Sequence, residues 1–373
     1  MIEAAPRVAL VAERELEALV GVSTPSGDVA GAEEAVALSA AFLPPEADVE
    51  RLECSTPAHV PDLVGLLDGS GTKRLLLLGH LDTVVAHAAH RPLARDGDRL
   101  TGSGAVDMKG GVALALGTMR ELAARPELYA EAAILLVNDE EWRTAAFAHA
   151  ERFAGFDACL CFEAGERDAE GRDAVIVKRK AAGTLRVEAH GRPAHSGSAP
   201  QKGRSALLAL ADVARRVAAC SDPDGADRLT AVPTIMRSGE AFNVVPAHGE
   251  LVCDLRADSL AAFDPVLAQV PEELGDVRVE PNMVRAWPGM DTRSAAAELL
   301  ERAAARLGRP LVAAERGGAS DASHMASTIP LTIDGLGPRG GGAHTPQEWV
   351  SAESLRTRAE VALALVAALL EGT

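Results

Sequence analysis

Aromatic residues are scarce in this chain: they make up 3% of its 373 residues, with a single tyrosine. Alanine and the aliphatic residues must therefore build the core. Positive charge is also short, because 37 basic residues against 54 acidic ones leave a formal net charge of −17. That balance lacks the basic patch which nucleic acid or an anionic membrane would require. No run approaches the ~20 uninterrupted apolar residues of a membrane helix. The start, "MIEAAPRVALVAERELEALV", carries acidic residues where a signal peptide would have a basic head and an uncharged apolar stretch. Cysteine is sparse and odd in number: Cys54, Cys159, Cys161, Cys220 and Cys253. Reduced thiols in a cytoplasmic protein fit that distribution. Cys159 and Cys161 alternate in "DACLCF", on one face of a strand, and read as small buried apolar residues rather than a metal clip.

What is present points to two domains, since the chain is longer than one core usually supports. Apolar runs alternate with helical-period segments through the first 165 residues: "RLLLLG", "GGVALALGTMRELAA", "AAILLV", "TAAFAHAERFA" and "ACLCF". This is the mark of an α/β fold with a mostly parallel sheet flanked by helices. From about residue 181 the texture changes to β-α-β-β-α-β, with "TLRVEAHG", "LTAVPTIMRSG", "HGELVCDLRA" and "DVRVEP" as strands. Between them lie "GRSALLALADVARRVAA" and "SLAAFDPVLAQVPEEL" as helices. That order is the ferredoxin-like split βαβ unit, an α+β domain. Helix and strand alternate again after residue 288. The expected organisation is a catalytic domain over 1–180 and 289–373, with a second domain inserted at 181–288.

Polar residues collect where the predicted strands end. "RLLLLGHLD" closes on His80 and Asp82, "AAILLVNDEE" on Glu140 and Glu141, and "ACLCFEAGE" on Glu163. "PLTIDGLGPRGGGAH" runs into His344, and "TGSGAVDMKGG" puts Asp107 just before a helix. Ligand sites of open α/β sheets lie at these carboxyl ends. So many bare charges in one crevice would be intolerable, yet they suit a pair of divalent cations. His80, Asp107, Glu141, Glu163 and His344 are enough for two metals if one carboxylate bridges them. Glu140 is then left over as a general base. Asp82 suits a supporting role, accepting the second imidazole proton of His80.

The motifs "GHLDTV", "GSGAVDMKGG", "NDEE", "FEAG", "GRPAHSG", "GGASDA" and "GGGAHTPQEWV" occur in order over essentially the whole chain. In this they resemble the dinuclear zinc metallopeptidase family of aminoacylase, succinyl-diaminopimelate desuccinylase and glutamate carboxypeptidase, the last branch most of all. The resemblance implies that Asp107 bridges two metals, that His80 and Glu163 complete one, and that Glu141 and His344 complete the other. It implies zinc, with cobalt or manganese as alternatives, Glu140 as catalytic base, and a cis peptide between Asp107 and Met108. The inserted domain would be a lid and the surface of a homodimer. His195 resembles a histidine that reaches the partner subunit's active site and binds the carbonyl oxygen, while Arg256 and Asn243 resemble residues that hold the substrate's free carboxylate. A glutamate at position 163 goes with acylases and carboxypeptidases more than with aminopeptidases.

The implied reaction is hydrolysis of an amide bond next to a free carboxylate, in a small peptide or N-acyl amino acid. The alternatives are an ester or carbamoyl amide hydrolase on the same site, or a non-catalytic binding protein. Two departures stand out. Arg143 replaces a small residue after the glutamate pair and is expected to point outward, its other reading being added positive potential for an acidic substrate. His324 stands where an uncharged residue is expected and would either touch substrate or cap a helix.

Overall fold

The computed structural model describes residues 1–371. Its main elements, in chain order, are α1 (Ala5–Gly21), α2 (Val29–Phe42), β1 (Asp48–Leu52), β2 (Asp62–Asp68), β3 (Arg74–His80), α3 (Gly110–Ala123), β4 (Glu131–Val137) and β5 (Ala158–Cys161). There follow β6 (Ala181–His190), α4 (Ala206–Ala218), β7 (Thr230–Ser238), β8 (His248–Ala257), α5 (Asp264–Leu267) and β9 (Val277–Trp287). The chain ends with α6 (Arg293–Leu307), α7 (Asp321–Met325), β10 (Thr332–Ile333) and α8 (Ala352–Leu370). Two compact units divide it: Met1–Lys178, Asp291–Glu315 and the stretch from Ser320 onward form the first, Arg179–Met290 with Arg316–Ala319 the second. Among the described residues no helix is long and apolar enough to cross a membrane.

The first unit is built on a six-stranded sheet in the order β1-β2-β4-β3-β5-β10. The pairs β3–β4, β3–β5 and β5–β10 are parallel, and β1–β2 and β2–β4 are antiparallel. β3 and β4 occupy the middle of the sheet. Leu75 to Leu78 and Ala132 to Val137 are fully buried, which is why these strands read as unbroken apolar runs rather than alternating ones. α1, α3, α6 and α8 contribute most of the remaining core, and α8 is buried along almost its whole length. Caps define where helices begin: Asp28 accepts from the N–H of Gly31 at 2.6 Å and Ser351 from that of Ser354 at 3.1 Å.

The second unit carries an antiparallel sheet in the order β7-β8-β6-β9, extended by the short strand Glu273–Leu274. This spatial order is that of the split βαβ unit. Leu185, Val187, Leu210, Val213, Leu251, Cys253, Leu255 and Val266 form its core.

Two helices expected from the sequence are corrected. "TAAFAHAERFA" contains only the single 3-10 turn Glu151–Phe153; the N–H of Ala148 bonds the hydroxyl of Ser55 at 3.0 Å and His149 pairs with Asp62 at 2.8 Å, contacts that hold the stretch outside a helix. The second helix of the inserted unit shortens to a 3-10 turn, Leu260–Phe263, followed by α5, and Glu273–Leu274 pairs with β9 instead of continuing it.

α3 begins hard against the chain that carries Glu163. A Cβ on Gly111 would lie 1.8 Å from the carbonyl oxygen of Phe162, a backbone atom that cannot step aside. Gly111→Ala is expected to destabilise the protein by about 1–3 kcal/mol and to weaken metal binding together with it. Chemical denaturation and a metal titration on the same variant check both effects.

Candidate metal centre

The parallel strands deliver the acidic residues to one edge. His80 is the last residue of β3, in register with Val137, after which the chain runs through Asn138 and Asp139 to Glu140 and Glu141. β5 ends at Cys161, just ahead of Glu163. Asp107 precedes α3, and its peptide bond to Met108 is cis. His344 lies in a loop with φ of 64°, a left-handed conformation that histidine enters more readily than most non-glycine residues.

Two clusters of three residues result, and they share Asp107. In one, Nε2 of His80 lies 3.3 Å from Oδ1 of Asp107 and 3.7 Å from Oε1 of Glu163. In the other, Nε2 of His344 lies 3.1 Å from Oδ2 of Asp107 and 3.1 Å from Oε2 of Glu141. The five candidate ligands of the sequence reading are thus all brought together. The donor set fits divalent cations: imidazole nitrogens and carboxylates converge, and Oε1 of Glu141 is buried without a hydrogen-bond partner, which a cation would satisfy.

Electrostatics follow from the crowding. Burial alone would lower the pKa of His80, but hydrogen bonds with Asp107 and Asp82 override it and hold the imidazole well above its ordinary range. Hydrogen bonds to Asp107 and Glu141 raise His344 to about 10. Glu140 and Glu141 are both pushed up, chiefly by burial, and Glu140 further by the neighbouring carboxylates of Asp321, Glu163 and Glu141. Asp107 is held low against its burial by the two histidines.

Side chains behind the ligands fix them in place. The carboxylate of Asp82 accepts the backbone N–H groups of Glu140 and Glu141, each at 3.1 Å. Its carbonyl oxygen and Oδ1 lie 3.1 and 3.3 Å from Nδ1 of His80. Asp82 therefore orients the glutamate pair as well as the imidazole. Glu348, which sequence reasoning missed, accepts N–H bonds from Gly104, Val106 and Asp107 at 2.9, 2.8 and 3.0 Å. The only signal in the sequence was a glutamate within "AHTPQEWV", where a loop acid ordinarily faces water. Arg143 corrects the outward orientation expected of it: its side chain is fully buried between Asp139 and Asp321. His324 stacks on Phe147 with ring centroids 5.2 Å apart.

The other predicted site residues lie in the second unit. Nδ1 of His195 accepts from the N–H groups of Gly197 and Ser198 at 3.1 and 3.2 Å, so the proton of the neutral ring sits on Nε2. A backbone bridge from His195 to Val244, and the Ser196 N–H bonded to the Asn243 carbonyl at 2.9 Å, bring His195 and Asn243 together. Arg256 stands on β8, its guanidinium 3.0 Å from both oxygens of Asp254. A further group, Glu188, His190 and Glu280, also converges on this sheet, but Arg186 and Arg278 already engage its two glutamates.

A metal ion bound at this centre would have to displace protons from it. Because His80 and His344 are held protonated by their carboxylate neighbours, loading both clusters at pH 7 is expected to release about two protons. Affinity is expected to fall as pH falls and to climb toward the value of about 10 at which His344 loses its proton. Calorimetry in buffers of different ionisation enthalpy reads this directly, and a heat independent of buffer would contradict it.

Residues 76–368 match the model of peptidase family M20/M25/M40. Carboxypeptidase G2 of Pseudomonas sp. (strain RS-16) is 28% identical over 95% of this chain and 88% of its own length. A succinyl-diaminopimelate desuccinylase of Methylobacterium sp. (strain 4-46) is 29% identical over 77% of this chain and 79% of its own. Among solved structures, aminopeptidase PepT of Bacillus cereus aligns with a TM-score of 0.78 at 20% identity, over 97% of this chain and 98% of that one. The metallo-carboxypeptidase Sso-CP2 of Sulfolobus solfataricus aligns with a TM-score of 0.71 at 16% identity, over 95% and 98%. At those identities the structures speak for the fold. With most of its length matching the family model, the chain belongs to peptidase family M20/M25/M40 and is a hydrolase of amide bonds.

Proposed function

We propose that the protein is a dinuclear, zinc-dependent amidohydrolase of the carboxypeptidase kind, acting in the cytoplasm on a small peptide or N-acyl amino acid whose scissile amide adjoins a free carboxylate. One observation carries the reading: the two clusters share Asp107, while Glu140, buried beside them, belongs to neither. His80 and Glu163 would hold one ion, Glu141 and His344 the other, and Asp107 both. Ions held there would supply an acidified water and polarise the amide carbonyl. Glu140 takes the proton of the attacking water and returns it to the leaving amine nitrogen. Burial helps it in this task, because it pushes the carboxyl well above its ordinary range and so makes the carboxylate a stronger base.

His195 is proposed to donate from Nε2 to the carbonyl oxygen as negative charge develops on it. The two backbone N–H groups on Nδ1 keep the ring in the tautomer that can do so. Arg256 and Asn243 are proposed to hold the substrate carboxylate, a task that suits a guanidinium fork. For Arg256, Asp254 would then serve to orient the fork until substrate competes for it. The relatedness to carboxypeptidase G2 supports a carboxylate-bearing leaving group, and the resemblance of the motifs to the glutamate carboxypeptidase branch makes glutamate the first candidate.

A homodimer through the second unit is part of the proposal. β7 is an edge strand, and it exposes Val232, Ile235 and Met236, while α4 exposes Leu207 and Leu208. Phe242 is fully exposed. Apolar side chains gathered on an unpaired edge are suited to a second copy of the chain.

Glu140→Gln is expected to bind metal as the parent does while losing about 10²–10⁴-fold in kcat. Assays on N-acyl and dipeptide substrates, comparing C-terminal Glu and Asp with Arg, Leu and Ala, would read both the base and the preference. Turnover retained by the variant would remove Glu140 from the mechanism, and preference for an uncharged or basic C-terminal residue at the same backbone would remove the glutamate assignment. Ile235→Lys combined with Leu208→Glu is expected to yield monomers in light scattering after gel filtration; an unchanged mass would place any dimer interface elsewhere.

A further inference from the structure

Arg143 has no part in the chemistry proposed above, yet it is among the most deeply buried charges of the molecule. It follows Glu141 by two residues in a stretch, from Asn138 to Ala150, that contains neither helix nor strand. Such a segment has no ladder of its own to hold it. Its backbone donors turn to side chains instead: Glu140 and Glu141 to Asp82, and Ala148 to the hydroxyl of Ser55 at 3.0 Å.

The guanidinium sits at the centre of this stretch. Its Nε and Nη2 lie 2.9 and 2.6 Å from Oδ1 of Asp139, and its Nη2 lies 3.0 Å from Oδ2 of Asp321, with Nη1 on the other oxygen of that carboxylate. The ring of Phe147 covers the guanidinium, 4.7 Å from its centre. Asp139 is tied down in turn by the N–H and hydroxyl of Thr56 at 2.9 and 2.7 Å. With no exposed surface, Arg143 has no face left for a substrate carboxylate.

We propose that Arg143 is a positioning residue that holds Glu140 and Glu141 in register with the rest of the centre. Asp139 immediately precedes the glutamate pair and Arg143 closely follows it, so their ion pair closes the turn that carries both glutamates. The second fork, on Asp321, pins that closed turn to the start of α7. Only a planar fork serves both carboxylates at once; a lysine ammonium offers a single point of charge. Unpaired, the two buried carboxylates would open the turn to reach water.

The inference rests on the dinuclear reading of the site, and the test separates the two. Arg143→Lys is compared with the parent by cobalt titration, steady-state kinetics and hydrogen exchange of peptides covering 138–147. The expected result has the first cobalt bound as before and the second, at Glu141 and His344, weakened by about tenfold or more. It also has kcat lower by about 100-fold, as for a misplaced group, KM within about threefold, and faster exchange confined to 138–147. Parental cobalt affinities and kcat would overturn the proposal even if the melting temperature fell, and a raised KM with kcat intact would make Arg143 a substrate contact instead. Should the parent itself bind no cobalt, the dinuclear reading fails and exchange alone decides: unchanged protection of 138–147 overturns the positioning role, and local loss of it upholds that role. If Arg143→Lys does not fold, Asp321→Asn, which leaves the pair with Asp139, is judged by the same measurements.

Discussion

Like charges forced into one buried place are the constraint around which the first unit is organised. Asp82, Asp107, Glu140, Glu141 and Glu163 converge at the ends of three strands, with His80 and His344 among them. Carboxylates so placed repel one another and resist burial, and both effects vanish only when cations or protons are shared among them. The raised values of His80, His344, Glu140 and Glu141 are this frustration expressed as proton binding. A centre that costs so much without a cation is one that a bound cation would relieve.

The fold answers that repulsion with backbone donors and with the buried guanidinium of Arg143. Asp82 and Glu348 are carboxylates that hold other carboxylates, because each spends its oxygens on the N–H groups of the segments that carry them. Glu348 ties the loop of His344 to the loop of Asp107, so two candidate ligands far apart in the chain are joined through hydrogen bonds. Arg143 does the equivalent for the glutamate pair through Asp139 and Asp321. Hydrogen bonds of this kind are strong because the acceptor is ionised and the surroundings are dry.

His195 shows the same economy in the second unit. Its ring is set by two backbone N–H groups on Nδ1 rather than by another side chain, which leaves Nε2 to donate. The exposed apolar residues of β7 and α4 stand apart from that task, and a partner copy would bury them.

Much of this was legible in the chain. Buried parallel strands announce themselves as unbroken apolar runs, and a histidine or glutamate directly after such a run can only emerge at the carboxyl edge. His80, Glu140, Glu141 and Glu163 were therefore readable from periodicity, and Asp107 and His344 from the motifs around them. The stretch 144–154 reads as a helix because its alanines and phenylalanines mimic helical spacing, while the contacts that hold it otherwise come from Ser55, Asp62 and Thr328, distant in sequence. Glu348 and Arg143 were illegible for the same reason: a charged residue in a loop defaults to water unless something far along the chain claims it. The sequence by itself determined which residues reach the strand edge, since local pattern sets strand, face and terminus. Only the tertiary structure decided which charges meet there and which hold the others, because that pairing depends on distances between segments that no local pattern encodes.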